Sequence, residues 1–233
     1  MAEGRTVGAV LVVGGGPAGI QAALDLADSG FKVYILESGL SIGGTMAQLD
    51  KTFPTNDCAM CIVSPKLVAT GRHENITMLT NAELKKVDGK AGDFKVTLTR
   101  RSRYIIEERC TGCGVCAEHC PVEGVNSFDR ELAPAKAIYV PFPQAVPLVY
   151  TIDRGLCIGC GICEKFCEAK AINYSDKPDK EEVIEVGSII LSPGYDVFEA
   201  SKKAEYGHGV FANVVTNIEF ERMLSASGPT EGH

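Results

Sequence analysis

Four cysteines crowd into residues 110–120, "CTGCGVCAEHC", and the same spacing returns at residues 157–167, "CIGCGICEKFC". Each block obeys C-x2-C-x2-C-x3-C. Thiolates at this spacing on a tight, glycine-bearing turn converge on one face, so three can grip three irons of a cubane cluster. The fourth points away and ligates the other cluster. The spacing therefore assigns Cys110, Cys113, Cys116 and Cys167 to one [4Fe–4S] cluster, and Cys157, Cys160, Cys163 and Cys120 to a second. Gly112, Gly114, Gly159 and Gly161 let backbone N–H groups approach the sulfides. Structural zinc takes separated C-x2-C knuckles and fits this doubled crowding poorly. Pro121 follows the first block, whereas Glu168 holds that place after the second. Proline there shapes the exit turn and binds no iron.

A second constellation lies near the start. "VVGGGPAGIQAALDLADSGFKVYILE" fits G-x-G-x-x-G with Gly14, Gly16 and Gly19. The first glycine makes the turn, the second admits a pyrophosphate to the helix N-terminus, and the third lets helix pack closely on strand. Glu37, ending the following strand, is placed to bind ribose hydroxyls. NAD and FAD both satisfy this pattern. "ESGLSIGGTM", with Gly43, Gly44 and Thr45, resembles the loop that runs beside FAD in glutathione and thioredoxin reductases, and "IILSPGY" resembles a later segment of those flavoproteins. These likenesses select FAD, and no second glycine fingerprint offers a nicotinamide domain. Two further cysteines, Cys58 and Cys61 in "NDCAMCIVSPKL", are readable as a redox dithiol, as two ligands of a cluster completed from elsewhere, or as inert thiols. His73, His119 and His208 carry no motif. Lys51 reads as a solvated loop residue.

The elements that must position these groups follow from pattern. Val10–Val13, a helix around Ile20–Ala27 and "FKVYILE" form a βαβ unit, hence a parallel sheet. A loop runs from Ser38 to Ser64, and a short helix follows Pro65. "NITMLT" and "DFKVTLTR" return to the sheet, as does "VIEVGSIILSPG". The fold expected is α/β: a Rossmann-like FAD-binding domain of thioredoxin/glutathione reductase type, residues 1–102 and 182–233, interrupted by an α+β two-cluster ferredoxin-like domain at 103–181.

Composition narrows the class. The 233 residues are 45% hydrophobic and 23% charged, with a net charge of −7. Such a chain builds a core but offers no basic footprint for nucleic acid or anionic membrane. No stretch approaches a membrane span, and the apolar run at residues 9–13 is too short for a signal peptide. Ten cysteines without an export signal point to a reducing cytoplasm and to thiol chemistry in place of a disulfide framework.

Taken with "GGGPAGIQAALDLA", "GGTMAQLDKTFPTNDC", "CTGCGVCAEHCPVE", "KAIYVPFPQAVPLVYTID" and "TNIEFERMLSASGPT", the chain resembles the central part of the A-type subunit family of heterodisulfide reductase. The A-type subunit of quinone-interacting membrane oxidoreductase shares parts of the pattern. The resemblance implies a cytoplasmic iron–sulfur flavoprotein whose FAD bifurcates electrons between disulfide-reducing B and C subunits and a low-potential acceptor such as ferredoxin. Hydrogenase or formate dehydrogenase components supply the electrons. The family carries an additional N-terminal cluster domain and continues beyond "GPTEGH", so the expectation is a fragment or a pared-down relative. Two other functions fit the residues: an FAD-dependent dithiol oxidoreductase using Cys58 and Cys61, and a non-catalytic assembly piece.

Overall fold

The computed structural model describes residues 6–233. Strand β1 (Ala9–Val13), helix α1 (Pro17–Asp28) and strand β2 (Lys32–Leu36) form the expected βαβ unit. The strands are short apolar runs rich in valine and isoleucine, buried on both faces as parallel strands must be. Pro17 opens α1 with its φ already helical, and Ile20, Ala23 and Ala27 bury one face.

Between β2 and the next parallel strand the chain makes a 3-10 turn (Gly44–Gln48), a two-rung hairpin of β3 (Lys51–Thr52) and β4 (Asp57–Cys58), and helix α2 (Ala59–Arg72). The loop expected as far as Ser64 is therefore helical from Ala59, and Pro65 lies inside the helix. Pro65 removes one intrahelical bond. Burial of Val63 and Leu67 on either side holds the helix together.

Strand β5 (Ile76–Leu79) pairs in parallel with β2. The sequence expectation fails for "DFKVTLTR". It joins a separate antiparallel sheet instead, in which β7 (Asp93–Arg101) lies between β6 (Ala82–Lys90) and β12 (Asp179–Val186). The run "VIEVGSIILSPG" is likewise two strands. β12 ends at Val186, and after Gly187 strand β13 (Ser188–Leu191) pairs in parallel with β1. A side chain at Gly187 would strike Val7 O at 2.2 Å, so the crossing between sheets needs a bare backbone. The parallel sheet has the order β13-β1-β2-β5. Because successive strand side chains alternate, Val12, Val33 and Ile35 face α1 and α2, while Leu11 and Leu36 face Val96, Leu98 and Ile184 of the antiparallel sheet.

The cysteine-rich segment leaves this framework after β7 and rejoins it at β12. It carries α3 (Val115–Glu118), β8 (Glu123–Val125), β9 (Pro134–Lys136), β10 (Ile138–Tyr139), β11 (Thr151–Ile152) and α4 (Ile162–Phe166). Asp179, Lys180 and Glu181, given by composition to the insert, already belong to β12. The insert's small core gathers Ile105, Ile138, Val149 and Ile152 around cysteine side chains.

Two buried arginines join it to the rest. Arg103 donates to Thr80 Oγ1 at 2.8 Å, to Leu40 O and to Thr151 Oγ1 at 3.0 Å. Its Nε lies 3.3 Å from Glu107 Oε1, an ion pair without hydrogen-bond alignment. Arg222, on the last helix α5 (Asn217–Leu224), donates from Nε to Asp129 Oδ1 at 2.9 Å and from Nη1 to Gln48 O at 3.3 Å, and lies over the Phe128 ring. Among the described residues no helix is long and apolar enough to cross a membrane.

Candidate functional site

All ten cysteines are free thiols, and eight of them line two cavities. The first, of about 350 Å³, is lined by Cys110, Cys113, Cys116 and Cys167, with Val115, Tyr150 and Ile172 among its apolar walls. The second is lined by Cys157, Cys160, Cys163 and Cys120. Each cavity thus takes three cysteines from one block and the fourth from the other. Positive-φ glycines start both helices: Gly114 before α3 and Gly161 before α4. His119 and Phe166 join the two helices, their ring centroids 3.9 Å apart.

The two cavities differ in fit. The first holds a cubane-sized body. The second is nearly closed, at about 10 Å³, with Cys163 Sγ turned to Tyr174 Oη at 2.8 Å. Its donor set suits a cluster, whereas its volume in this conformation does not. Among the described residues no three His, Cys, Asp or Glu side chains gather to hold a single metal ion. The thiols stand around spaces and do not converge on a point. Burial pushes the Cys116 thiol up to about 12 and raises that of Cys163, so both are neutral until a cationic centre displaces their protons.

The glycine turn is built as the fingerprint requires. A Cβ on Gly14, at φ +105°, would lie 2.0 Å from Ser192 O, and one on Gly19 would lie 1.9 Å from Gly14 O. Both positions are closed to any side chain. At Gly16, by contrast, nothing lies within 4 Å, which leaves open space where a pyrophosphate would approach. The second glycine loop rests against this turn, with Gly43 N donating to Gly15 O at 2.7 Å. Glu37 closes the arrangement. Its Oε2 accepts from Gly15 N and its Oε1 from Gly39 N, each at 2.7 Å. Ser38 Oγ also donates to Oε1, at a longer 3.4 Å. A carboxylate offers about four acceptor positions, so one is left open and the weak Ser38 bond is the one a ribose hydroxyl would displace.

Glu37, Gly44 and Thr45 line one cavity of about 400 Å³, within the usual range of small-molecule sites. The opposite wall was not foreseen from sequence. Ser127, Phe128, Tyr139, Pro141 and Phe142 come from the cysteine-rich segment. Only the prolines of "YVPFPQ", which stiffen the chain, hinted that this connector was more than a spacer. The remaining pair stands apart from both cluster cavities: Cys58 caps α2 and Cys61 lies one turn on. Lys51 is opposite Cys58 in the small hairpin. His73 meets Asp28 and His208 meets Glu219.

Comparison with known proteins agrees with this layout. Residues 9–119 match a family described as FAD dependent oxidoreductase, and residues 150–173 match the 4Fe-4S binding domain. The chain is 59% identical over 225 residues to the iron-sulfur A-type subunit, form 1, of CoB-CoM heterodisulfide reductase from Methanopyrus kandleri, covering 96% of this chain and 34% of that protein. The chain is homologous to the A-type subunit of heterodisulfide reductase. A relative from Methanococcus maripaludis, the A-type subunit of H(2)/formate:CoB-CoM heterodisulfide,ferredoxin reductase, is 58% identical over 223 residues, covering 96% of this chain and 34% of its own length. The chain spans about a third of the length of these relatives. A solved structure, L-proline dehydrogenase from P. horikoshii, is 31% identical over 41% of this chain and 19% of that one, with a TM-score of 0.35. The FAD-dependent oxidoreductase match takes in the glycine turn, Glu37 and the Cys58 pair. The 4Fe-4S match takes in the second cysteine block, and the first block lies outside it.

Proposed function

We propose that this chain is the flavin and iron–sulfur electron-transfer part of a heterodisulfide reductase-like enzyme, binding one FAD and two [4Fe–4S] clusters. The observation that carries the reading is the sharing of eight cysteines as two fours, each completed by the other block. FAD exchanges electrons in pairs or singly and the clusters exchange them one at a time, so together they link two-electron to one-electron chemistry.

The residues of the chain serve this by holding and shielding. The backbone at Gly16 would receive the pyrophosphate, Glu37 would accept from the ribose, and Gly43, Gly44 and Thr45 would flank the bound cofactor beside the glycine turn. Val115, Tyr150 and Ile172 keep water from one cluster; Ile138, Ile152 and Ile158 do so for the other. The segment between β7 and β12 acts as an inserted ferredoxin-like unit, seated on the flavin domain through Arg103 and the Phe128–Phe142 wall.

The names of relatives join H2 or formate to the CoB-CoM heterodisulfide and to ferredoxin, and one names ferredoxin alone as the partner of that heterodisulfide. In the same reading, which here follows the family resemblance, the chain works in a cytoplasmic complex with B- and C-like subunits. A hydrogenase or formate dehydrogenase component would supply the electrons, and this chain would hold the FAD at which they could part toward the heterodisulfide and toward ferredoxin.

Anaerobic preparation followed by iron, sulfide and flavin analysis tests the reading. About eight irons and eight sulfides per chain are expected, with FAD and no nicotinamide dinucleotide. Cys167→Ser should disturb the cluster of the first block and leave Cys157, Cys160 and Cys163 ligated. Four irons in the wild type, or zinc in their place, would count against it.

A further inference from the structure

The two thiols that the cluster scheme leaves over lie at the start of a 14-residue helix. Cys58 ends β4 and is the N-cap of α2, where its Sγ accepts the backbone N–H of Cys61 at 3.2 Å. Cys61 is exposed and Cys58 partly so, so a reagent reaches both. The end is held in place by Ala59 N donating to Asp50 O at 3.0 Å. Lys51, directly across the ladder from Cys58, adds positive charge to the first-turn N–H groups. Asp50, 3.8 Å from the Lys51 ammonium, tempers it, and Asp57 precedes Cys58 in the strand.

We propose that Cys58 and Cys61 form a thiol–disulfide exchange site for an organic disulfide arriving from solvent, in which Cys58 attacks and Cys61 resolves. The order follows from the cap. An anion at Cys58 Sγ is met by an N–H group and by the helix N-terminus. Cys61 instead supplies that N–H and lies beyond the cap. The same contacts lower the Cys58 pKa, first through the Cys61 thiol and then its N–H, and the Cys58 contact raises that of Cys61.

In the first step the Cys58 thiolate attacks one sulfur of the disulfide. A mixed disulfide forms, and the other half leaves as a thiolate that takes a proton from water. Cys61 then gives up its proton and attacks Cys58 Sγ, releasing the second half as a thiol and closing a Cys58–Cys61 bond. One substrate disulfide becomes two thiols while the pair loses two electrons, so the substrate is the only oxidant required. Cys58 Sγ already lies 3.2 Å from Cys61 N, so closing the disulfide asks for a turn of the Cys61 side chain toward the cap and a small backbone adjustment. The step uses neither flavin nor clusters, so it stands or falls independently of the function proposed above.

The probe is 5,5′-dithiobis(2-nitrobenzoate), added to cluster-loaded full-length chain, with the Cys58→Ser/Cys61→Ser double variant as background and mass spectrometry to locate the adduct. Wild type should release two thionitrobenzoate equivalents above background and finish unlabelled, with Cys58 and Cys61 joined. Cys61→Ser should release one and keep the label on Cys58. Cys58→Ser should react about tenfold or more slowly, since rate follows thiolate fraction. Equal rates in the two single variants, or a label that persists on the wild type, would overturn the proposal. So would ferrous iron and sulfide loading the wild type beyond the double variant while shielding both thiols, which would make the pair metal ligands.

Discussion

At the scale of single residues, Glu37 ties two loops together, a role the sequence did not suggest beside the ribose contact expected of it. A carboxylate after the second strand is legible as a ribose partner, because it falls at the end of a recognisable βαβ unit. Its bonds to Gly15 N and Gly39 N are not legible, since they depend on how two loops fold back over it. Glu37→Gln keeps an acceptor but replaces the other oxygen with a donor, which would face a backbone N–H. Loss of FAD retention by about tenfold or more is expected, matching roughly 1.5–3 kcal/mol for a hydrogen bond to a charged group. Flavin fluorescence after dialysis measures it, with iron content as the control. Glu37→Ala should also loosen the glycine turn itself and lower thermal stability. The spacing inside each cysteine block was readable because it is local, and the structure sets the eight cysteines around two cavities, four to each. The Tyr174 contact that closes the second cavity was not readable, since it joins residues far beyond one turn.

At the scale of elements, the parallel strands and α1 were readable from apolar runs and a proline-started helix. The antiparallel sheet was missed although β7 carries its signal, since Phe94, Val96 and Leu98 alternate with polar residues as in a strand with one face in solvent, unlike the unbroken apolar runs of β1 and β2. Which strands β7 lies between depends on contacts that no local pattern names.

Helix α5 is better specified. Thr216 and Glu219 form a reciprocal capping box. Burial raises the Glu219 carboxyl, but the Thr216 N–H and hydroxyl and the His208 ring outweigh it, leaving the pKa below its usual value. A group with a lowered folded pKa stabilises above its unfolded value and loses that contribution as pH falls through the folded one. Amide protection in α5 should therefore hold at neutral pH and fall below the ordinary carboxylate range. In Glu219→Gln that pH dependence should vanish, with a loss of about 1 kcal/mol at neutral pH. Hydrogen exchange across a pH series reads both.

At the scale of the whole molecule, three stretches far apart in sequence meet at Arg222. The flavin-side turn contributes Gln48 O, the cysteine-rich insert contributes Asp129 and Phe128, and the last helix brings the guanidinium. Breaking a buried ion pair from one side leaves the other charge stranded. Arg222→Met should therefore cost about 3–5 kcal/mol, read as a lower denaturant midpoint, and Asp129→Asn in the same chain should recover part of it. A full loss with no recovery would show that packing on Phe128, and not charge, is what the arginine supplies.

The same junction sets an order on biosynthesis. A ribosome delivers the N-terminal part of a chain first, so Gln48 and Asp129 emerge long before residue 222. Until then the Asp129 carboxylate has no cation to follow it out of water, and Phe128, which lines the Glu37 cavity, has no guanidinium over its ring. Two residues of that cavity, Gln48 and Phe128, thus gain their last contact from a helix some 170 residues downstream of the turn it touches. A nascent chain stalled before α5 should capture its flavin poorly even though every glycine of the turn has already been made.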